Sequence, residues 1–260
     1  MTPRCIIAMA LILFTQSVIA QNSTRIRKAS LLYPEINKGN TVNDANRSQA
    51  LLYSKNIPAE LGKELKQALA NNKGLTNVII GSGNTYCYTY GRNGYSANDI
   101  PEDLLKEIEE SNHKNLKLSI VTTYGTNGWV VISDNNGYAY RNIPPGAARA
   151  IEKCNANKLT IDVVAIAPDG GWVIINQDYG YDYDAIDQEL ADKIEACNKQ
   201  KKPINHIVFT PGGGWVIIYD SNGYLYKDIP AEAADAIRKI NKSGEKINVV
   251  AFSKAGFVIN

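Results

Sequence analysis

The chain repeats itself with a step of about 43 residues, and this repeat constrains its fold more than any other feature. Three separate landmarks share the step: an Ile-Pro pair, a Gly-Tyr pair and a Gly-Trp pair. They lie at Ile57-Pro58, Ile100-Pro101, Ile143-Pro144 and Ile229-Pro230, at Gly94-Tyr95, Gly137-Tyr138, Gly180-Tyr181 and Gly223-Tyr224, and at Gly128-Trp129, Gly171-Trp172 and Gly214-Trp215. A period shared by independent landmarks predicts an architecture of stacked, similar units.

Each unit has the same internal order. An apolar run such as 161–167 predicts a strand a, and the apolar residues at 172–175 predict a strand b covered on both faces. An Asn-Gly type pair then predicts a tight hairpin with positive φ, followed by an alternating strand c. The Ile-Pro pair introduces an amphipathic helix, and a residue such as Asp99 just before that pair predicts a helix cap.

The two ends of the chain complement each other. Residues 51–55 occupy the slot of strand c, whereas residues 257–260 occupy the slot of strand b. Together they complete one unit. The sequence therefore predicts an α+β repeat ring of five units, each with three antiparallel strands and one helix. This propeller-like ring is closed by pairing the N-terminal strand c with the C-terminal strands a and b, which leaves no open edge at the seam.

The run Ala167–Ile175, followed by Gly-Tyr and Ile-Pro, resembles repeats in secreted bacterial proteins of uncharacterised function. The ring closure resembles a five-bladed β-propeller and, more distantly, the five-fold ring of the pentein superfamily. The resemblance covers about residues 50–260 and implies architecture, with three strands and a helix in place of four strands. The Cys/His/carboxylate set typical of pentein enzymes is not recognisable, so the resemblance implies no such catalysis.

The first residues predict export. Arg4, the apolar run 5–14 and the small residues at 17–20 form a signal-peptide pattern with cleavage after Ala20. The apolar run is too short to span a bilayer, so no membrane insertion is expected. We expect residues 1–20 to be a signal peptide, 21–46 a flexible lead-in and 47–260 a single ring, in a secreted or periplasmic protein.

Charge and reactive residues argue against several functions. The net charge of +2 has both signs interspersed, which disfavours nucleic acid as a partner. Two histidines, His113 and His206, and no Cys-x-x-Cys pair give no zinc pattern. Cys87, Cys154 and Cys197 fill apolar slots and predict buried thiols, with a Cys154–Cys197 disulfide as the alternative. We expect no catalytic residue, metal or cofactor, and a monomer.

An aromatic column is the first candidate binding feature. Its members begin strand b beside a Gly-rich turn or begin strand c, and the predicted ligand-binding set is Tyr86, Trp129, Trp172, Trp215, Tyr138, Tyr181 and Tyr224. Such rings at the rim could stack on a sugar face or anchor a peptide. The alternative is that they wedge between units, since large aromatic side chains dominate core energetics.

A polar column is the second candidate. It follows the first apolar residue of strand a and consists of Thr76, Ser119, Asp162, Asn205 and Asn248, and His206 interrupts the neighbouring apolar column. If strand a lines the axis, these side chains form a polar ring around a channel that could hold water, an ion or a small ligand. The alternative is a belt of hydrogen bonds between strands.

These features predict a secreted, non-enzymatic binding protein, lectin-like, that recognises a carbohydrate or another polar extracellular ligand. One alternative is a protein–protein interaction scaffold of the cell envelope. Another is a hydrolase or lyase with its site in the axial channel, which requires His206 and Asp162 to meet in one pocket.

Overall fold

A computed structural model describes residues 51–134, 137–177 and 179–260. The predicted signal peptide and lead-in lie outside these ranges. The described strands are β1 (Tyr53–Lys55), β2 (Leu75–Ile80), β3 (Tyr86–Tyr90), β4 (Gly94–Asn98), β5 (Leu118–Tyr124), β6 (Gly128–Ser133), β7 (Gly137–Arg141), β8 (Ile161–Ile166), β9 (Trp172–Asn176), β10 (Gly180–Asp184), β11 (Ile204–Phe209), β12 (Trp215–Tyr219), β13 (Gly223–Lys227), β14 (Val250–Phe252) and β15 (Phe257–Ile259). The helices are α1 (Ala59–Ala70), α2 (Glu102–His113), α3 (Pro145–Ala156), α4 (Gln188–Lys199) and α5 (Ala231–Ser243). None of the helices in these ranges has the length and apolar character needed to cross a membrane.

The strands form five antiparallel sheets of three strands each. Four sheets are continuous in sequence: β2-β3-β4, β5-β6-β7, β8-β9-β10 and β11-β12-β13. The fifth has the order β1-β15-β14, with Tyr53 opposite Ile259, so the two ends of the chain share one sheet. Asn260 Nδ2 also donates to the Leu51 carbonyl oxygen at 2.7 Å. The predicted closure of the ring is thereby confirmed.

The ring is arranged around its first strands. We call β2, β5, β8, β11 and β14 the inner strands, because each lies at one edge of its sheet and each contacts the next around a closed circle, β14 returning to β2. The second strand of each unit is the middle strand and the third is the outer strand. The five units of three strands and one helix are those expected from the repeat.

Five hydrophobic clusters fill the spaces between successive sheets. One helix contributes to each cluster; for example, α4 places Leu190 and Ile194 between Val173 of one sheet and Ile217 of the next. The cluster around α1 joins the first sheet to the seam sheet. Middle strands are covered on both faces as predicted, and β6 is buried along its whole length.

The cysteines belong to this apolar packing. Cys87, Cys154 and Cys197 are buried and free, which confirms the predicted thiols, and no Cys154–Cys197 disulfide forms. Burial raises the pKa of the Cys87 thiol to about 12. A thiol that stays protonated at neutral pH is a poor nucleophile, so these residues serve the core.

The residues before the Ile-Pro pairs are not the helix caps that the sequence suggested. Asn56, Asp99, Asn142 and Asp228 have φ between 48° and 54°, in the left-handed region. Short polar side chains tolerate that region, and here they turn the chain from the outer strand towards the helix. The prolines take the N-cap position without a side-chain hydrogen bond. Among the five described helices, only that of Asp187, in the unit that lacks this proline, has a side-chain capping bond, which Asp187 accepts from Glu189 N.

The glycines of the Asn-Gly pairs also act differently from the prediction. In three units positive φ occurs earlier in the turn, at Gly91, Asp134 and Asp220, whereas in the Tyr179-Gly180 variant it occurs within the pair, at Tyr179. Gly94 stands opposite Tyr90 on the neighbouring strand, and a Cβ there would lie 2.2 Å from the tyrosine ring. This glycine therefore makes room for a cross-strand side chain rather than for an unusual backbone conformation.

Candidate binding site in the axial channel

The five inner strands surround a cavity of about 260 Å³. Its wall consists of residues 76–80, 119–123, 162–166, 205–209 and 249–252. We call this cavity the axial channel. Strand a therefore lines the axis, which was the condition for the predicted polar ring.

A β-bulge in each inner strand places the polar column. The register shifts between Leu75 and Asn77, and at the same point of the next three inner strands, so the extra residue is Thr76, Ser119, Asp162 or Asn205. In the fifth unit, the N–H groups of Asn248 and Val249 both donate to the Asn260 carbonyl oxygen, at 2.6 and 3.0 Å. A bulge turns its extra side chain away from the regular alternation of the sheet. Polar residues are tolerated here because they leave the apolar sheet face.

The channel wall contains Thr76, Ser119, Asp162, Asn205 and His206. The structure thus brings together five of the six residues predicted for the axial ring. Asn248 lies beside this wall and hydrogen-bonds with His206 through its backbone. Asn205 donates its side-chain amide to the Asp220 carbonyl oxygen, which ties the bulge to the turn after the middle strand.

The first unit carries a polar network around Thr89, a slot that is apolar in three other units. Thr89 is only 1% exposed and stands where three other units have Ile132, Ile175 and Ile218. Its Oγ1 lies 2.6 Å from Thr76 Oγ1 and accepts from Asn77 Nδ2 at 2.8 Å.

Asn77 continues this network to the next unit. Its Oδ1 accepts a hydrogen bond from Val121 N at 3.1 Å, which connects the first and second inner strands across the channel wall.

His206 occupies the same slot as Asn77, three units further along. Burial and the nearby Lys246 lower the pKa of its imidazole to about 4, although a hydrogen bond with the backbone of Asn248 opposes this shift. The ring is therefore neutral at pH 7, with one nitrogen as donor and the other as acceptor. A pKa this far from neutrality makes a weak general base. His206 and Asp162 do line one cavity, but the chemistry of His206 suits recognition better than proton transfer.

The first part of the aromatic column is buried. Tyr86, Trp129, Trp172 and Trp215 are 1–8% exposed and pack in the clusters between sheets. The first side chain of each of these middle strands points into the space between two neighbouring sheets, so a large ring at this position fills the gap between units. Such burial leaves no open ring face for a ligand and corresponds to the wedge alternative.

The second part of the aromatic column lies on the outer strands. Tyr138, Tyr181 and Tyr224 each stack on the tyrosine two residues later, with ring centroids 6.0 Å apart. Tyr138 is 39% exposed. These tyrosines stand at the opposite edge of the sheets from the axial channel. The predicted ligand-binding set therefore divides between the core and the outer surface and does not form one site.

Two tryptophans donate hydrogen bonds to carboxylates at helix N-termini, and these contacts were not predicted from the sequence. Trp129 Nε1 donates to Asp103 Oδ2 at 3.0 Å, and Arg141 contacts the same oxygen at 2.5 Å. Burial alone would raise the pKa of Asp103, but the hydrogen bonds from Arg141 and Trp129 outweigh it and lower that pKa. The sequence signal is a cationic residue at the end of the outer strand: Arg141 in one unit and Lys227 two repeats later.

The second of these anchors predicts a pH effect. Hydrogen bonds from Lys227, from Glu189 N and from Trp215 lower the pKa of Asp187 in the folded state. A lowered folded pKa stabilises the protein above the unfolded value, and that contribution disappears as the pH falls through the folded value. Asp187→Asn keeps an oxygen that can cap the helix but cannot ionise. We expect urea midpoints of this variant to fall less steeply than those of the unaltered protein between neutral pH and about pH 3.

Asp192→Asn is the matched control for this pH series. Asp192 is an exposed carboxylate of the same helix, and Gln188 contacts it at 2.9 Å. Its variant should follow the unaltered protein across the series. Parallel slopes for Asp187→Asn and the unaltered protein would contradict the assigned role of Asp187.

The described ranges contain no group of three or more His, Cys, Asp or Glu side chains arranged to hold a metal ion. The donors of the axial channel are hydroxyl, amide and imidazole groups with one carboxylate, and this set suits hydrogen bonding to a polar organic molecule.

Comparisons with known proteins give little further guidance. No model of a known family matches the chain, and no curated protein matches it. A solved structure described as "YCF48 bound to D1 peptide" aligns with 68% of this chain and 69% of its own, at 8% identity and a TM-score of 0.25. A similarity with this identity and TM-score shows neither the fold nor the function of this chain.

Proposed function

We propose that this chain is an exported, non-enzymatic binding protein that holds one small polar ligand, of the carbohydrate class, in its axial channel. The supporting observation is the cavity of about 260 Å³, into which the bulges of four inner strands bring Thr76, Ser119, Asp162 and Asn205. Small-molecule sites are concave, and a few placed polar groups fix the orientation of the ligand. Their usual volume is about 300–1,000 Å³, so this channel suits a single small ligand.

The polar groups of the channel favour recognition of a neutral ligand over catalysis of a reaction. Thr76, Ser119 and Asn205 supply hydroxyl and amide groups, and His206 is neutral at pH 7. Such groups both donate and accept hydrogen bonds, as sugar hydroxyls do. Export follows from the predicted signal peptide and remains part of this proposal.

A plug in the channel mouth tests the site. Calorimetric titration with neutral monosaccharides, short oligosaccharides and sugar alcohols should identify a ligand. Ser119→Trp places a large side chain at a bulge position in the wall. We expect it to weaken binding of that ligand at least about tenfold, because the indole takes the place of the ligand and prevents its hydrogen bonds with the wall.

Ser54→Trp is the matched control for the plug. Ser54 is exposed on β1, an outer strand, away from the channel. It should bind the ligand like the unaltered protein. Absence of binding across the whole panel, or equal binding by Ser119→Trp and Ser54→Trp, would contradict a ligand site in the channel.

A further inference from the structure

The hydrogen-bond phase of the inner strands decides which main-chain groups face the channel. In an antiparallel pair, alternate residues exchange both of their bonds with the partner strand, and the residues between them point the other way. Ala167 N donates to the Gly171 carbonyl at 2.7 Å, and Thr210 N donates to that of Gly214 at 2.7 Å. These bonds fix the phase at one end of the ladder. Val249, which exchanges bonds with Asn260, fixes the same phase at the other end.

Because hydrogen-bonded residues alternate along each inner strand, these bonds leave ten residues whose N–H and C=O groups point away from the middle strand. They are Val78, Ile80, Val121, Thr123, Val164, Ile166, Ile207, Phe209, Val250 and Phe252, and all ten line the axial channel. In the described ranges, each inner strand pairs only with its own middle strand. The wall therefore presents two levels of main-chain donors and acceptors, five residues at each level.

Main-chain groups on an open strand edge require hydrogen-bond partners. Each N–H in this wall is accompanied by the C=O of the same residue, so donors and acceptors alternate along each inner strand and lie close together at each level. An anion would meet carbonyl oxygens at both levels and the Asp162 carboxylate in the wall, whereas a cation would meet the N–H groups beside those carbonyls. A hydroxyl group satisfies both, because it donates once and accepts twice.

Asn77 changes this wall at one point. Its Oδ1 takes the N–H of Val121, which is one of five equivalent donors at its level. Three of the four equivalent slots hold Ile120, Val163 and Val249, which carry no polar group.

From this geometry we infer that the main-chain lining of the axial channel selects a neutral polyhydroxyl ligand over a charged analogue of the same size, and that Asn77 limits its affinity by occupying the Val121 donor. This inference rests on the proposed function, since it names the ligand class of the same channel. Asn77 is here a residue that limits affinity by removing one main-chain donor from the wall.

A trio of linear six-carbon compounds tests the ligand class on the full chain: glucitol, gluconate and protonated glucamine. They share a polyol skeleton and differ at one end, which is a hydroxyl, a carboxylate or an ammonium group. Titrations belong at a mildly acidic pH, where the amine is protonated and His206, with its pKa of about 4, is neutral. We expect glucitol to bind at least about tenfold more tightly than either charged compound.

The outcomes separate this inference from the proposed function. Binding of a charged analogue as tight as that of glucitol, and lost in Ser119→Trp, would overturn the ligand class and leave the channel as the site. Failure of the trio and of every neutral sugar to bind would overturn both.

Asn77→Val tests the role of the side chain, because valine is the residue at two equivalent positions. We expect it to bind glucitol about fivefold more tightly, since Val121 N becomes available to the ligand. The buried Thr89 hydroxyl keeps a hydrogen-bond partner in this variant, because Thr76 Oγ1 still lies within reach.

Asn98→Val, on the outer strand β4, is the matched control and should leave affinity unchanged. A thermal melt checks folding of both variants. Unchanged or weaker binding by a folded Asn77→Val protein would overturn the assignment of Asn77, and the trio decides the ligand class on the unaltered chain in either case.

Discussion

A Val258→Asp variant should lose its cooperative unfolding transition at moderate temperature. Val258 is 0% exposed in β15, the middle strand of the seam sheet, where both ends of the chain meet. An ionised carboxylate there has no partner, and burying it costs more than about 4 kcal/mol, a large share of the stability of a domain. Circular dichroism during heating and urea titration would measure the loss.

A second aspartate variant shows whether the seam matters as much as a continuous unit. Val173 is also 0% exposed and occupies the equivalent slot of β9, in a sheet whose three strands follow one another in the chain. A closed ring predicts similar losses for Val258→Asp and Val173→Asp. Lys254→Asp, in the exposed turn between β14 and β15, is the charge control and should melt like the unaltered protein. Near-native melting of Val258→Asp beside a collapsed Val173→Asp would contradict closure at the seam.

The architecture was predictable because the repeat carries several independent signals with one period. The strands, the helix and the seam follow from landmarks such as Ile100-Pro101 and Gly128-Trp129, whose spacing survives local variation. Local conformations were less predictable. Aspartate is common both at helix caps and in left-handed turns, so the residue type of Asp99 does not distinguish the two roles. The path of the chain between β4 and α2 decides for the left-handed turn.

The candidate site was predictable only in part. The polar column at Thr76 and Asp162 could be found because its period matches the repeat, and the structure places it in the channel. Exposure of the tryptophans could not be predicted, since a ring that begins a strand looks the same at a rim or between sheets. The main-chain lining of the channel could not be predicted from side-chain chemistry. It depends on which of two similar residues, such as Val163 and Val164, forms main-chain hydrogen bonds with the middle strand.

A Gly214→Ala variant should be destabilised by about 2–3 kcal/mol, the cost of overpacking a site that cannot relax. A Cβ at Gly214 would lie 2.1 Å from the Asp228 carbonyl oxygen and 2.6 Å from that of Lys227, so two backbone atoms would have to move. Close approach between the start of the middle strand and the end of the outer strand thus explains the glycine of each Gly-Trp pair. Urea titration of the folded variant gives the free energy of unfolding.

Gly212→Ala is the matched control, two residues earlier in the same turn. A Cβ there meets only Thr210 Oγ1, at 3.9 Å, which is ordinary van der Waals contact. This variant should stay within about 1 kcal/mol of the unaltered protein and could gain stability through a less flexible unfolded chain. Equal losses at Gly212 and Gly214 would contradict the explanation by close approach.

Gly256→Ala applies the same test to the seam. Its Cβ would lie 1.8 Å from the Lys55 carbonyl oxygen, which belongs to β1 at the other end of the described chain. The collision exists only when β1 is docked beside β15, so the variant measures closure without adding a charge to the core. A closed ring predicts a loss at least as large as that of Gly214→Ala. A harmless Gly256→Ala beside a destabilised Gly214→Ala would mean that β1 leaves the sheet at little cost, and the ring would then be held by four sheets and an open fifth.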